Sequence, residues 1–527
     1  MPDSSKPLRI AILINYFFTL RDFLFSPVWQ EMSKHPDVQF LLLASDWDIS
    51  AYVSGLNIDN IIPISMPQPA YNAESPSLQK TSLKNLWIQL FNKLDGKYLF
   101  QALLHRFTAT HNLSHFHIRR ERSKKEKEIH RVFYNYRLGE AAGFPFPQSR
   151  LLYRLAYEAH HGFLNLPHED DIEFIRSLEP DLFVFGRLHY KPTAYWVNAI
   201  KRLNIPMIGM VSSWDHPTVQ GATPRGMSGY VVASQRMKDE MAELHTIPRA
   251  HIQQIGKPQM DIFCDPNTLM DRSEFLKMLD IPPHHRLITL ATNTRGLNEH
   301  EISIAGKLAN DFKQGRYGDS TLLIRNHPQD QDWQTNFLPL AKQPHVVVVN
   351  AFPAEMGIDA KGYRDQVILA NLMAHSDIVI QSRGSIALDA IAFDTPVISL
   401  AFDGDLVRQP NDSFLLEYEY EHYKPLVTAE GAWMVGDYLE LDNAIQSYLA
   451  DPTIDAEGRQ KILEEQIAPL DGKVSQRLVA ALVEAAQKAR GNKLPQGNWR
   501  YSGLGDTTWA NRQICNAAQF VRGVKRQ

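Results

Sequence analysis

Five short polar clusters in this 527-residue chain carry residue types that handle phosphates and hydroxyls, and each follows an apolar run of strand length. The most informative is Ser382-Arg383-Gly384-Ser385, which lies between the run Asp377 to Gln381 and the helix formers Ile386 to Phe393. Gly384 would let backbone approach a ligand closely and Ser385 could cap the helix. Exposed N–H groups and the helix dipole would then favour a phosphate. One turn on, Asp389 is placed to accept hydrogen bonds from ribose hydroxyls. An ordinary serine-capped helix would look the same, because such caps are common.

Arg325 and Asn326-His327-Pro328 close another apolar run, where the proline fixes the turn and the His327 imidazole could donate to a diphosphate. A histidine satisfied at a strand end is the plainer alternative. Asn293, Thr294 and Arg295 form a third polar loop, for which turn chemistry alone is the alternative. In the first half, Arg187 with His189 follows one apolar run, on what would be the acceptor side, and Ser212-Ser213-Trp214-Asp215-His216 follows another. Asp215-His216 joins a carboxylate to an imidazole, a pair able to serve as general base. Asp22, beside Arg21, is the rival base, or else an acid in the first turn of a helix, where the dipole favours it.

These clusters can act together only if a fold gathers them, and the pattern between them supplies one. The second half alternates short β-branched runs with helix-length amphipathic stretches, the grammar of a parallel sheet covered on both faces. Strands are expected over Leu287 to Ala291, Thr321 to Arg325, Val346 to Asn350, Asp377 to Gln381 and Pro396 to Leu400. Helices are expected near 299 to 313, 333 to 342, 365 to 375 and 384 to 393. The first half repeats the grammar near 8 to 15, 38 to 44, 60 to 64, 181 to 186, 206 to 211 and 229 to 233. The fold expected is α/β, with two Rossmann-like, doubly wound parallel-sheet domains facing across a cleft. In open sheets of this kind, polar residues just after strand carboxyl ends converge on a crevice. The domains expected are 1–262, with a helical insertion at about 75–165, and 263–490, followed by a tail over 491–527.

Composition limits the function classes. With 44% hydrophobic and 22% charged residues the chain is globular, and a net charge of −4 with a pI near 6.6 gives no global pull toward nucleic acid. Two cysteines, Cys264 and Cys515, are too few for a disulfide framework or a thiolate zinc site, which fits a reducing, cytoplasmic setting. The apolar start from Ile10 to Leu20 is interrupted by Asn15 and reads as a buried strand, not a spanning helix or signal peptide. The basic run from Arg119 to Lys127 reads either as a solvated helix face or as a dock for anionic lipid at a membrane surface. Asp403-Gly404-Asp405 reads as a loop, so no metal site is expected.

Several motifs together resemble a known family. They are Ser213-Trp214-Asp215-His216-Pro217-Thr218 through Gly221, Val231 to Gln235, and Glu243-Leu244-His245 with Ile247-Pro248. Next come Gly256-Lys257-Pro258-Gln259-Met260-Asp261 and Ser382 to Asp389 with Asp394-Thr395-Pro396-Val397-Ile398. The last is Asp471-Gly472-Lys473-Val474-Ser475-Gln476-Arg477. In this order they resemble bacterial GT-B-fold glycosyltransferase-like proteins of surface-polysaccharide synthesis, related to polysaccharide and glycerophosphate transferases.

The resemblance implies a nucleotide-sugar donor on the second domain and a saccharide or lipid-linked acceptor on the first, with no cofactor beyond the donor. Ser382, Gly384 and Ser385 would meet the diphosphate, Asp389 the ribose, and His327 matches the family's strand-end histidine. Arg383 enlarges a turn usually built of small residues, and Asp389 stands where glutamate is commoner. The paired glutamates seven residues apart of many retaining members are absent, which favours inversion. Two rival readings remain open: a nucleotide-sugar 2-epimerase of the same fold, and a catalytically silent glycan-binding protein.

Overall fold

A computed structural model describes residues 6–67, 167–350, 361–408, 418 and 422–494, short loop stretches within these ranges excepted. The insertion expected near 75–165, with the basic run 119–127, lies outside the described residues, as does nearly all of the tail.

Two parallel sheets organise the chain. The first contains β1 (Leu8–Leu13), β2 (Val38–Ala44), β3 (Ile61–Ser65), β4 (Leu182–Phe185), β5 (Met207–Val211), β6 (Gly229–Val232) and β7 (Ile252–Gln254), in the order β3-β2-β1-β4-β5-β6-β7. The second contains β8 (Arg286–Ala291), β9 (Ser320–Asn326), β10 (Val346–Asn350), β11 (Ile378–Gln381), β12 (Val397–Leu400) and β13 (Trp433–Val435), in the order β10-β9-β8-β11-β12-β13. Each sheet therefore reverses direction at its first strand, between β1 and β4 and between β8 and β11. Crevices open beyond the carboxyl ends at such switch points.

The strands are apolar on both faces because helices cover both. Ile10 and Ile12 enter one core of the first sheet while Ala11 and Leu13 enter the other. In the second sheet Leu287 faces one core and Ile288 and Leu290 the other. This is the period-2 alternation that makes a doubly covered strand read as one continuous run. The edge strands β7 and β13 were not expected. Each spans three residues, and Gln253 and Gln254 dilute the apolar signal of β7. The helix expected over 333 to 342 is a short α-helix, Trp333–Asn336, followed by a 3₁₀ turn, Leu338–Lys342, with Pro339 in its first turn.

One boundary differs from expectation. The last helix, Val474–Arg490, does not stay with the second sheet. Val474, Leu478, Val479, Leu482 and Ala486 form an apolar stripe that packs into the core of the first sheet with Ile10, Ile12 and Met32. Its far end is held by Arg490, which donates to Asp181 and to the carbonyls of Lys6 and Pro7. The chain thus crosses between the sheets twice, once near Gly256 and once near Gly472.

Candidate functional site: a cationic cleft between the sheets

A cleft of about 450 Å³ lies between the carboxyl ends of the two sheets. Phe18, Arg21, Arg187 and the segment Ser213 to His216 line it from the first sheet. Asn293, Thr294, Arg325, His327 and Ser382 to Ser385, with Asp389, line it from the second. Twelve residues singled out from the sequence therefore meet in one place, because each follows a strand of one of two parallel sheets whose switch points face each other. Arg295 and His189 lie outside the described residues. Asp22 does not line the cleft. It is 1% exposed beneath it, 3.6 Å from Arg21, and burial raises its carboxyl above the usual range against the pull of Arg21 and Lys257.

The Ser382 turn is built differently from the open ring of amides expected. Arg383, not Gly384, takes the left-handed conformation, with φ 46°. Its N–H donates to the Tyr418 hydroxyl at 3.1 Å, and the Gly384 N–H donates to Gln381 Oε1 at 2.6 Å. Ser385 occupies the N-cap position of the helix Ile386–Ile391 without making a capping hydrogen bond. Two of the turn's amides, those of Arg383 and Gly384, are thus already satisfied within the protein.

The Ser382 hydroxyl turns inward to a residue the sequence did not reveal. Glu301, 0% exposed on the helix Glu299–Lys313, accepts from Ser382 Oγ, from the Asn293 N–H at 2.8 Å and from Asn293 Nδ2 at 3.1 Å. Burial pushes its carboxyl up to about 7, against those hydrogen bonds and the Arg383 charge. Beside Glu299 at a helix start, Glu301 reads as ordinary first-turn acidity, so no local signal marks it.

His327 accepts from the Gln329 N–H through Nδ1 at 3.1 Å, which leaves the ring's proton on Nε2. Burial, then the charges of Arg325 and Arg21, lower its pKa to about 4, so the imidazole is neutral near pH 7. Arg21 belongs to the first sheet's wall and His327 to the second, so cations from both sides converge. Arg325 is fixed by Asp365, whose two carboxylate oxygens accept from its Nη2 at 2.9 and 3.1 Å. Asp389, which lines the cleft, also sits 3.6 Å from Lys257 Nζ. Burial lowers the Lys257 pKa, while Asp389 and Asp22 oppose that shift. Lys257 lies on the crossing segment and so carries its charge between an acid from each half.

On the first wall, Asp215 accepts from the Ser213 hydroxyl at 2.6 Å, and His216, 2% exposed, begins the short helix His216–Val219. Trp214 reaches across to the second half, packing edge-on against His422 and Tyr423 with ring centroids 5.1 and 4.8 Å apart. Two other motifs prove to be architectural. Asp261 accepts from the N–H groups of Val474 and Ser475 at 2.9 and 2.6 Å, capping the last helix, and Arg477 donates to the Ile255 carbonyl at 3.0 Å. Gly256 has φ +108°, and a Cβ there would lie 2.6 Å from Val474 Cγ2. The segment 256–261 and the segment 471–477 are therefore two halves of one crossover joint.

Among the described residues, the group with metal-ligand geometry is His284, His285 and Asp319. These residues precede β8 and β9 and lie at the end of the sheet away from the cleft. No helix among the described residues is long and apolar enough to cross a membrane.

Similar solved structures include a glycosyltransferase from Rickettsia africae, at 11% identity, covering 91% of this chain and 99% of that one with a TM-score of 0.44. Others are a UDP-GlcNAc 2-epimerase from Neisseria meningitidis bound to UDP-GlcNAc (12%, 90% and 100%, 0.46) and the wall teichoic acid polymerase TagF (11%, 93% and 91%, 0.45). Comparison with curated proteins returns no match. The model of one family matches residues 214–484, from the tryptophan that bridges the cleft to the middle of the helix that Asp261 caps, and this is more than half of the chain. The protein belongs to the CDP-glycerol:poly(glycerophosphate) glycerophosphotransferase family.

Proposed function

We propose that the protein transfers a glycerophosphate, or a closely related alcohol phosphate, from a cytidine-diphosphate-linked donor to a hydroxyl of a cell-surface polymer precursor. The observation that carries this reading is the convergence of Arg21 from one sheet with Arg325 and the neutral His327 from the other around a single void. Burial and the two guanidinium charges keep the His327 imidazole neutral there, and a bound diphosphate would favour its charged form. Family membership supplies the donor class.

In this mechanism His216, assisted by Asp215, takes the proton from the acceptor hydroxyl. The oxygen attacks the phosphorus that bears the glycerol in line, with inversion, and the bond from that phosphorus to the bridging oxygen breaks so that CMP leaves. His327 donates from Nε2 to the phosphates, and Arg21, Arg187 and Arg383 spread the developing charge. Arg325 contributes its field from behind, since Asp365 holds it. The cleft acids Asp365 and Asp389 are paired with Arg325 and Lys257. The reading therefore uses fixed cations instead of a metal, and no cofactor. It places the reaction on the cytoplasmic side of a membrane and assigns the basic run 119–127 to docking there.

Binding tests the reading directly. A ligand of the native state raises the melting temperature by mass action. CDP-glycerol should do so more than cytidine alone or a UDP-sugar, and His327→Ala should lose most of the shift. A larger shift with a UDP-sugar would turn the assignment to sugar transfer, the reaction expected from the sequence.

A further inference from the structure

The buried Glu301 has no part in the mechanism above, yet it holds two of the polar loops on the second wall at once. Asn293 reaches it through its main-chain N–H at 2.8 Å and through Nδ2 at 3.1 Å, and Ser382 reaches it through its hydroxyl. Asn293 Nδ2 also donates to the Ser382 carbonyl, so the two loops are cross-braced. These loops follow β8 and β11, the strands that flank the switch point. We infer that Glu301 is a positioning residue whose carboxylate locks the loops after β8 and β11 into one shelf for the donor's phosphates. The inference rests on the donor site proposed above.

The chemistry follows from hydrogen-bond capacity. An ionised carboxylate accepts all three donors, whereas a protonated one must donate through one of its oxygens and therefore loses a donor. With its pKa near 7, Glu301 changes between these states close to neutrality. The charged and titratable groups that act on it are Arg383 from the turn after β11 and Tyr418 beyond β12; His300, its neighbour in the chain, feels Arg383 and Arg408. His300 is held near 3 and stays neutral across this range, and burial raises the Tyr418 pKa to a point where its hydroxyl keeps its proton. Glu301 is thus the member of this group that titrates between about pH 6 and pH 8.

Two measurements test this. Hydrogen exchange on the ligand-free protein should show the segments 291–298 and 381–386 exchanging faster together in Glu301→Gln, by about tenfold at pH 8, as expected for loss of charge-assisted bonds. Unchanged protection in either segment would overturn the inference, whatever the donor proves to be. In a donor titration with CDP-glycerol, the ratio of native to Glu301→Gln affinity should be about tenfold near pH 8 and approach one near pH 6. Contributions from His327 cancel in this ratio. A ratio that does not vary with pH would reduce Glu301 to a structural residue. Failure of the native protein to bind the donor, with exchange behaving as stated, would sink the donor assignment alone.

Discussion

Replacing Asp261 with alanine removes the carboxylate that accepts from Val474 N–H at 2.9 Å and Ser475 N–H at 2.6 Å at the start of helix 474–490. Asp261 is 5% exposed, so water cannot readily take over both bonds. Loss of an N-cap costs about 1 kcal/mol, and loss of an anion at the positive end of the helix dipole about another 1 kcal/mol. A change of about 2 kcal/mol in the opening of this helix is a factor of about 30 in its equilibrium, at 1.4 kcal/mol per decade. Amide exchange read peptide by peptide should therefore accelerate about 30-fold across 474–490 while the strands of the second sheet keep their protection. Asp261→Asn keeps one acceptor oxygen and should fall near fivefold. If both variants stay within about twofold of native exchange, the helix is held by its apolar stripe alone, and the joint between 256–261 and 471–477 is not the fastening described here.

Other outcomes follow from the same geometry. Donor binding should raise the His327 pKa from about 4, so calorimetry in buffers of different ionisation heat near pH 5.5 should show a proton uptake that His327→Gln abolishes. Arg325→Leu leaves the buried Asp365 without its partner and should cost about 3–5 kcal/mol in urea unfolding, most of it recovered in the Arg325→Leu/Asp365→Leu double variant. Donor affinity should stay low in that double variant, which separates stability from binding. Burial raises Glu301 from 4.5 to about 7, so its share of stability is full below 4.5 and is lost as pH rises through 7. Over that window Glu301→Gln should flatten the stability profile by about 3 kcal/mol, the shift converted at 1.36 kcal/mol per unit. Native minus variant stability that instead rises with pH would contradict this.

Much of the fold was legible because doubly covered parallel strands announce themselves as unbroken apolar runs, as Val346–Asn350 and Val38–Ala44 do. The cleft residues were legible for the same reason, since a polar residue just beyond such a run can only lie at a strand's carboxyl end. Partnership was not legible. Nothing in the spacing of Lys257, Asp389 and Glu301 tells which acid will face the cleft and which a buried lysine or an amide, because each contact joins segments far apart in sequence. Asp389 lines the cleft, and its spacing gave no sign that Lys257 lies 3.6 Å from it. The segments 256–261 and 471–477 were read as motifs of a transferase, and their physical work is to carry the chain from one sheet to the other and back.

The most direct test is product analysis of CDP-glycerol incubated with the protein, with and without a glycerophosphate-primed acceptor. The account predicts CMP released together with acceptor lengthening, dependent on acceptor and lost in His216→Ala and in His327→Ala. Release of a nucleoside diphosphate from a sugar donor, conversion of a nucleotide sugar without any acceptor, or undiminished CMP release by both variants would contradict it.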